Sequence, residues 1–302
     1  MKRIALMLAT NFAVIAVLGM VWSVLDSTFG LTEYFMGLGL PAGFGYIALM
    51  SIVFGFAGSF ISLLMSKGSA IKSMGVQLIE NPTTKQERWL FNVVERQAEK
   101  AGIKMPDVGI FHANEPNAFA TGAKRNNALV AVSTGLLQHM TADEVEAVLG
   151  HEIAHVANGD MVTQTLLQGV MNTFVFFFSR IIAMLVNSIL SGNRQGGGNS
   201  YGATYFIVSM IAQVCLGFLA NIVVMWFSRY REFHADKGGA DLAGREKMIA
   251  ALQKLQQVNQ PHDLPGEMAA FGIAGGLGSG MKKLFTTHPP LEDRIAALQN
   301  AK

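Results

Sequence analysis

Four long apolar runs limit this chain more than any other feature: Ile4 to Leu25, Gly37 to Met65, Val162 to Leu190 and Thr204 to Ser228. Each is long enough to cross the ~30 Å hydrocarbon core of a bilayer, which takes about 20 helical residues. Lipid offers the backbone no hydrogen-bond partners, so such runs have to be helices. The first stands behind Lys2 and Arg3, and a cleavable signal peptide is the competing reading. VWSVLDS offers no small-x-small cleavage site, so an uncleaved anchor is expected. In the second run Gly55 and Gly58 are expected to let a neighbouring helix approach closely. The third and fourth, joined by SGNRQGGGNSYG, read as a membrane hairpin; the alternative packs them partly against the protein and leaves two spans. Arg180 lies inside the third run, where an unpartnered midplane charge costs on the order of 3 kcal/mol.

A mean hydropathy of +0.34 with only 15% charged residues over 302 residues suits several spans plus one soluble domain. The formal charge of +2 gives no basic surface for nucleic acid. One cysteine, Cys215, excludes a disulfide within the chain and any Cys-rich metal site. A bound metal would therefore need histidines and carboxylates.

The stretch TADEVEAVLGHEIAHVANG, Thr141 to Gly159, supplies them. Thr141 and Glu144 form a capping box at its start, and Gly159 is a left-handed stop at its end. Inside this helix lies His151-Glu152-x-x-His155. Residues four apart share a helix face, so the two imidazoles can grip one cation. Glu152, one step round, suits a general base acting on a water that the metal activates. Two solvated or core histidines are the bland alternative; the caps, the glutamate and the apolar positions Val145, Val148, Leu149, Ile153 and Val156 weigh against it.

Ahead of this helix, after Pro82, KQERWLFNVVERQAEKAG reads as a helix with Trp89, Leu90, Val93 and Val94 on one face and Gly102 at its stop. Two strand-like runs follow, Asp107 to His112 and Ala128 to Ser133. Between them NEPNAFATGAKRNN combines a short strand-like segment with turn residues. An edge strand beside the metal helix can hold an extended peptide by main-chain pairing, and Asn117, Ala118 and Phe119 are the candidates. An ordinary edge strand is the plainer reading. After the fourth run, RYREFHADKGGADLAGREKMIAALQKLQQV reads as helix, Pro261 to Gly280 as loop, and TTHPPLEDRIAALQ as a turn and a last helix with Pro290 in its first position.

A catalytic zinc site needs a third protein ligand and a position left for water. His234, His262, His288 and several carboxylates follow His155. Glu232 is the choice, because it stands just beyond the fourth run as His155 stands just before the third, and a hairpin brings those ends together. Asp236, four residues on, shares its face and can accept from a ligand imidazole. Lys2, Arg3, Lys67, Lys72, Arg229 and Arg231 flank the spans on one side, with Asp26 and Glu33 on the other and Arg194 dissenting. The positive-inside rule then places both termini and the soluble block in the cytoplasm.

HEIAHVANGD, REFHAD, NAFATG and THPPLEDRI, set between paired apolar segments, resemble the HtpX family of membrane-embedded bacterial zinc proteases. That family belongs to the heat-shock response and the gluzincin class and is related to the CAAX prenyl proteases. The likeness runs along essentially the whole chain. It implies one zinc ion on His151, His155 and Glu232, Glu152 as base, Asp236 supporting the histidines, and His288 as a donor to the tetrahedral intermediate. A helix-capping role is the plainer reading of His288. It further implies cleavage of damaged or misassembled membrane proteins at the cytoplasmic face of the inner membrane.

The expected fold is α+β: a mainly helical integral membrane protein with a cytoplasmic zincin-like metalloprotease domain and a small sheet. The expected division is 1–65 two membrane helices, 66–160 the first protease part, 161–228 the second hairpin and 229–302 the second protease part. Three rivals remain: a prenyl-peptide protease sharing the site, a zinc-stapled scaffold, whose site would be closed by four protein ligands, and a transporter, for which only Arg180 is an ionisable group inside a span.

Overall fold

The computed structural model describes residues 19–40, 43–191, 202–258 and 288–301. The first apolar run therefore lies mostly outside the described residues, as do the Gly-rich turn and Pro261 to Gly280. The protein is mainly helical. Its elements run α1 (19–29), α2 (Leu31–Gly37), α3 (Phe44–Met74), β1 (Gln77–Leu78), α4 (Lys85–Lys100), β2 (Asp107–Phe111), β3 (Ala118–Lys124), β4 (Asn127–Ser133), α5 (Thr134–His139), α6 (Ala142–Asn158), α7 (Asp160–Ser191), α8 (Ala203–Ala243), α9 (Arg245–Val258) and α10 (Leu291–Asn300).

Two compact units emerge, one of residues 1–58 and 168–220, the other of 59–167 and 221–302. Among the described residues three helices, α3, α7 and α8, are long and apolar enough to cross a membrane. Only 11% of the apolar window of α7, and the same of α8, is buried. Most of each window is therefore not packed against the described protein. Within the membrane unit α3 and α7 touch at Gly55, where an added Cβ would lie 2.6 Å from the Thr173 backbone nitrogen. Gly58, by contrast, has nothing within 4 Å, so of the two glycines only Gly55 makes a close approach.

The second unit is built on a four-stranded mixed sheet in the order β1-β2-β4-β3. β2 and β4 are parallel; the outer pairs are antiparallel. β4 is buried along all but its first residue, as a central strand covered on both faces must be. β3 and β4 form a hairpin that leaves β3 at the edge, running beside α6. The short strand-like segment within NEPNAFATGAKRNN is the seven-residue β3, with bend and turn residues on either side of it. β1 and α5 were not foreseen; strands of two residues and helices of six leave too little periodicity to see.

Helices α4, α6, α9 and α10 close over the sheet around Leu90, Val93, Leu149, Ile153, Met248, Leu252 and Leu298. Helix α4 carries a capping box of its own, Thr84 with Glu87, and ends before Gly102 at φ 68°. The stretch from Arg229 to Val258, expected as one helix, is two: Gly244 at φ 112° breaks it between α8 and α9. That backbone angle is open to glycine and strained for other residues.

Candidate metal centre

Helix α6 has the ends its sequence promised. Glu144 donates its backbone N–H to Thr141 Oγ1 at 3.4 Å, Thr141 N–H reaches Glu144 Oε2 at 2.7 Å, and Gly159 sits at φ 71°. With the frame fixed, His151 and His155 lie one turn apart and their Nε2 atoms are 3.1 Å from each other. The second half of the site comes from α8, a single 41-residue helix that continues the fourth apolar run through Glu232 to Ala243. Its backbone comes unusually close to α6: a Cβ on Gly239 would lie 2.9 Å from the His151 nitrogen. Only glycine permits this contact, and it brings the carboxylates of α8 onto the imidazoles.

Glu232 Oε1 is 3.3 Å from His155 Nε2, and Glu232 Oε2 is 3.6 Å from His151 Nε2. The outward ring nitrogens are both engaged by carboxylates: His151 Nδ1 lies 2.9 Å from Asp236 Oδ1, and His155 Nδ1 2.7 Å from Asp160 Oδ2. A carboxylate accepts only, so each Nδ1 is placed to carry a hydrogen, and an imidazole in that neutral tautomer, the form that binds a metal, turns a bare Nε2 lone pair inward. Two lone pairs and a carboxylate then face one point, which a cation satisfies. The spacing also suits a metal. Tetrahedral bonds of about 2.0–2.1 Å put neighbouring ligand atoms about 3.3 Å apart; here the two Nε2 atoms are 3.1 Å apart, and the Glu232 carboxylate brings one oxygen to 3.3 Å from His155 and the other to 3.6 Å from His151. These residues fit a metal ion.

Without a metal the cluster takes up a proton instead. Burial alone would hold the His155 imidazole down. Its hydrogen bonds to Asp160 and Glu232, with the negative charge of Glu152 and Glu232 nearby, raise it to about 10. Metal uptake must expel that proton, as it does at other histidine sites.

Glu152 lines the same cavity as His151, a cleft of about 310 Å³ bordered by Asn117 and Ala118 at the start of β3 and by His288, Leu252 and Arg294 opposite. Phe119 is not brought there; its ring packs on Phe111, centroids 5.4 Å apart, because successive strand residues face opposite ways. His288 Nδ1 stands 2.7 Å from Glu232 Oε2 while its side chain stays 62% exposed. It does not cap the last helix: Pro290 is the N-cap of α10 and no side-chain cap hydrogen bond is made. His234, exposed on the other side of α8, meets the Tyr230 carbonyl at 3.0 Å and takes no part in the cluster.

Three participants were not foreseen. Asp160 follows the helix stop directly, and Arg231 pairs with it. Arg294 is buried and holds Asp236 with two hydrogen bonds, Nε to Oδ2 at 2.7 Å and Nη2 to Oδ1 at 2.5 Å. It also reaches Glu232 Oε2 at 3.3 Å. Leu291, Ile295 and Leu298 share its helix face, and one arginine amid an apolar stripe was the readable sign. Burial opposes its charge, but Asp236 and Glu232 outweigh that and raise its pKa above the ordinary value.

Residues 84–302 match peptidase family M48. Over 299 residues the chain is 56% identical to Protease HtpX of Thioalkalivibrio sulfidiphilus, covering 99% of both. The chain belongs to the HtpX proteases of family M48. Protease HtpX of Alkalilimnicola ehrlichii is 55% identical over 304 residues, covering 100% of this chain and 99% of that one. The fold is that of Ste24p from S. mikatae, with a TM-score of 0.60 at 16% identity over 96% of this chain and 67% of the other. An HtpX protease with three apolar helices is a membrane metalloprotease, and its substrates are polypeptides.

Proposed function

We propose that His151, His155 and Glu232 hold one zinc ion, that Glu152 is the general base, and that the enzyme cuts damaged or misfolded membrane proteins at the cytoplasmic face of a bacterial inner membrane. The observation that carries the site is the convergence of two imidazole lone pairs and one carboxylate, with both Nδ1 atoms held by acids. When bound, zinc supplies the Lewis-acid pull that lets water ionise near neutral pH.

The remaining chemistry belongs to the chain. Asp236 and Asp160 fix each imidazole in the tautomer that leaves Nε2 free. Arg294 keeps Asp236 ionised and in place. A substrate laid along the start of β3, at Asn117 and Ala118, would add to the open edge of the sheet and bring its scissile bond to Glu152. Glu152 takes the proton of the attacking water and delivers it to the leaving amine. His288, at the rim with its ring largely exposed, is placed to donate to the developing oxyanion. Phe119 supports the strand from its other face and is no longer a contact residue in this reading.

Replacing Glu152 by Gln should leave metal content unchanged and lower cleavage of an unfolded membrane protein by about 100- to 10,000-fold, the usual loss with a general base. Full activity in that variant would end the assignment. The cytoplasmic placement rests on the basic residues that flank the spans, with 66–160 and 229–302 forming the protease body and 1–65 and 161–228 the membrane pairs. Single cysteines at Ser66 and Gln256 should be shielded from an impermeant reagent in intact cells, and one at Thr32 labelled; labelling at Gln256 would reverse the topology.

A further inference from the structure

The membrane unit holds a polar group that the protease reaction does not use. Arg180 lies twenty residues along α7 from Asp160, about 30 Å at 1.5 Å per residue, which is one hydrocarbon thickness. Its neighbours agree with that level. It lines a cavity of about 250 Å³ with Tyr46, Met50, Phe54, Phe176 and Tyr205, and the two tyrosines stand in the first turns of α3 and α8. Trp22 meets Tyr46 edge-on at 6.2 Å. Aromatic rings of this kind gather at the depth of lipid headgroups. Arg180 is therefore a charge at the interface, not at the bilayer centre as its place in the sequence suggested.

Its contacts among the described residues are a carbonyl and an aromatic face. One guanidinium nitrogen donates to the Phe176 carbonyl at 3.0 Å, and the group lies over the Phe176 ring, 4.9 Å from the centroid. A guanidinium has five N–H donors and can serve further acceptors beside this carbonyl. Among the described residues no carboxylate pairs with it. The sequence explains why: residues 1–58 and 168–220 contain no acids besides Asp26 and Glu33. Asp26 turns instead to the Thr32 backbone N–H at 2.6 Å, and Glu33 is exposed on α2. A cation at the edge of hydrocarbon needs a partner, and here the nearest source of anions is the bilayer.

We propose that this interhelical cavity binds the phosphate of an anionic phospholipid, with Arg180 forking onto two phosphate oxygens and the apolar walls taking the glycerol and upper acyl carbons. Guanidinium matches phosphate with two parallel hydrogen bonds, and basic pockets between membrane helices are suited to such headgroups. The aromatic and aliphatic walls favour a lipid over a free anion, since inorganic phosphate would give up its hydration to apolar surface.

The test is native mass spectrometry of the full-length protein in detergent, titrated with phosphatidylglycerol, phosphatidylcholine or inorganic phosphate. Wild type should bind one phosphatidylglycerol at least about tenfold more tightly than Arg180→Met, the loss expected for a charged hydrogen-bonding partner. Arg180→Lys should keep part of that affinity. Met50→Trp, which fills the cavity and spares the arginine, should lose it. Should Arg180→Met fail to fold, the last two variants decide. Phosphatidylcholine should bind more weakly than phosphatidylglycerol, and millimolar inorganic phosphate should not displace the lipid. Equal phosphatidylglycerol binding by wild type and Met50→Trp would overturn the site. Equal affinity for both lipids would overturn its anionic selectivity, and displacement by inorganic phosphate would make it a free-anion site.

Discussion

In the catalytic unit Arg294 is buried against Asp236 through two hydrogen bonds, and Asp236 in turn holds His151. In the membrane unit Arg180 is half-buried, meets a carbonyl and an aromatic face, and has no carboxylate beside it among the described residues. The first arginine belongs to a closed network in which every charge has an opposite at hydrogen-bond distance. Its removal would strand a buried acid. The second belongs to an open arrangement whose missing partner has to come from the surroundings. Burial of a charge is therefore not one condition but two. A closed pair fixes geometry, here the orientation of a metal-facing imidazole, and an open one makes the protein depend on its solvent.

The contrast has measurable consequences. Arg294→Met should destabilise the catalytic unit by about 3–5 kcal/mol, because breaking a buried pair leaves the other charge uncompensated. Arg180→Met, unfolded in the same micelles, should change stability by no more than about 0.5 kcal/mol, as substitutions outside such networks do. Denaturant titration of both variants measures the difference directly; equal losses would mean that the two arginines are not distinct.

A smaller effect separates the two units by packing. Gly239→Ala would press a methyl onto the His151 backbone nitrogen, 2.9 Å away, and should cost about 1–3 kcal/mol, with metal affinity falling alongside. Gly58→Ala in the membrane unit meets nothing within 4 Å and should leave the melting temperature unchanged. A neutral Gly239→Ala would show that the contact between α6 and α8 has room to relax.

These examples also mark what sequence could reveal. Helix α6 was legible end to end because its signals are local: the capping box Thr141–Glu144, the stop at Gly159 and the four-residue spacing of His151 and His155 all act within one element. Glu232 was reachable by one step of topology, from the ends of a membrane hairpin. Arg294, Asp160 and Gly239 needed knowledge of which helices touch. Arg294 is 58 residues from Asp236 in sequence, and its hydrogen bonds exist only once α10 lies beside α8. The break at Gly244 was visible as a glycine, but one glycine within a helical pattern does not say whether it bends, ends or merely weakens the helix. Arg180 was seen from the start, yet its depth depended on where α7 begins, five residues after His155, and that boundary is set by the catalytic unit.

The central claim is that the third metal ligand is the glutamate of α8 and not the histidine two residues on. Metal content measured at equilibrium in a metal buffer decides it, on wild type, Glu232→Ala and His234→Ala side by side. Glu232 is 4% exposed and faces both imidazoles, whereas His234 is exposed and bonded to the Tyr230 carbonyl. Glu232→Ala should weaken metal binding by more than the 10- to 100-fold that the loss of a mere supporting partner causes, and His234→Ala should bind like wild type. Metal lost from His234→Ala and kept by Glu232→Ala would contradict the account.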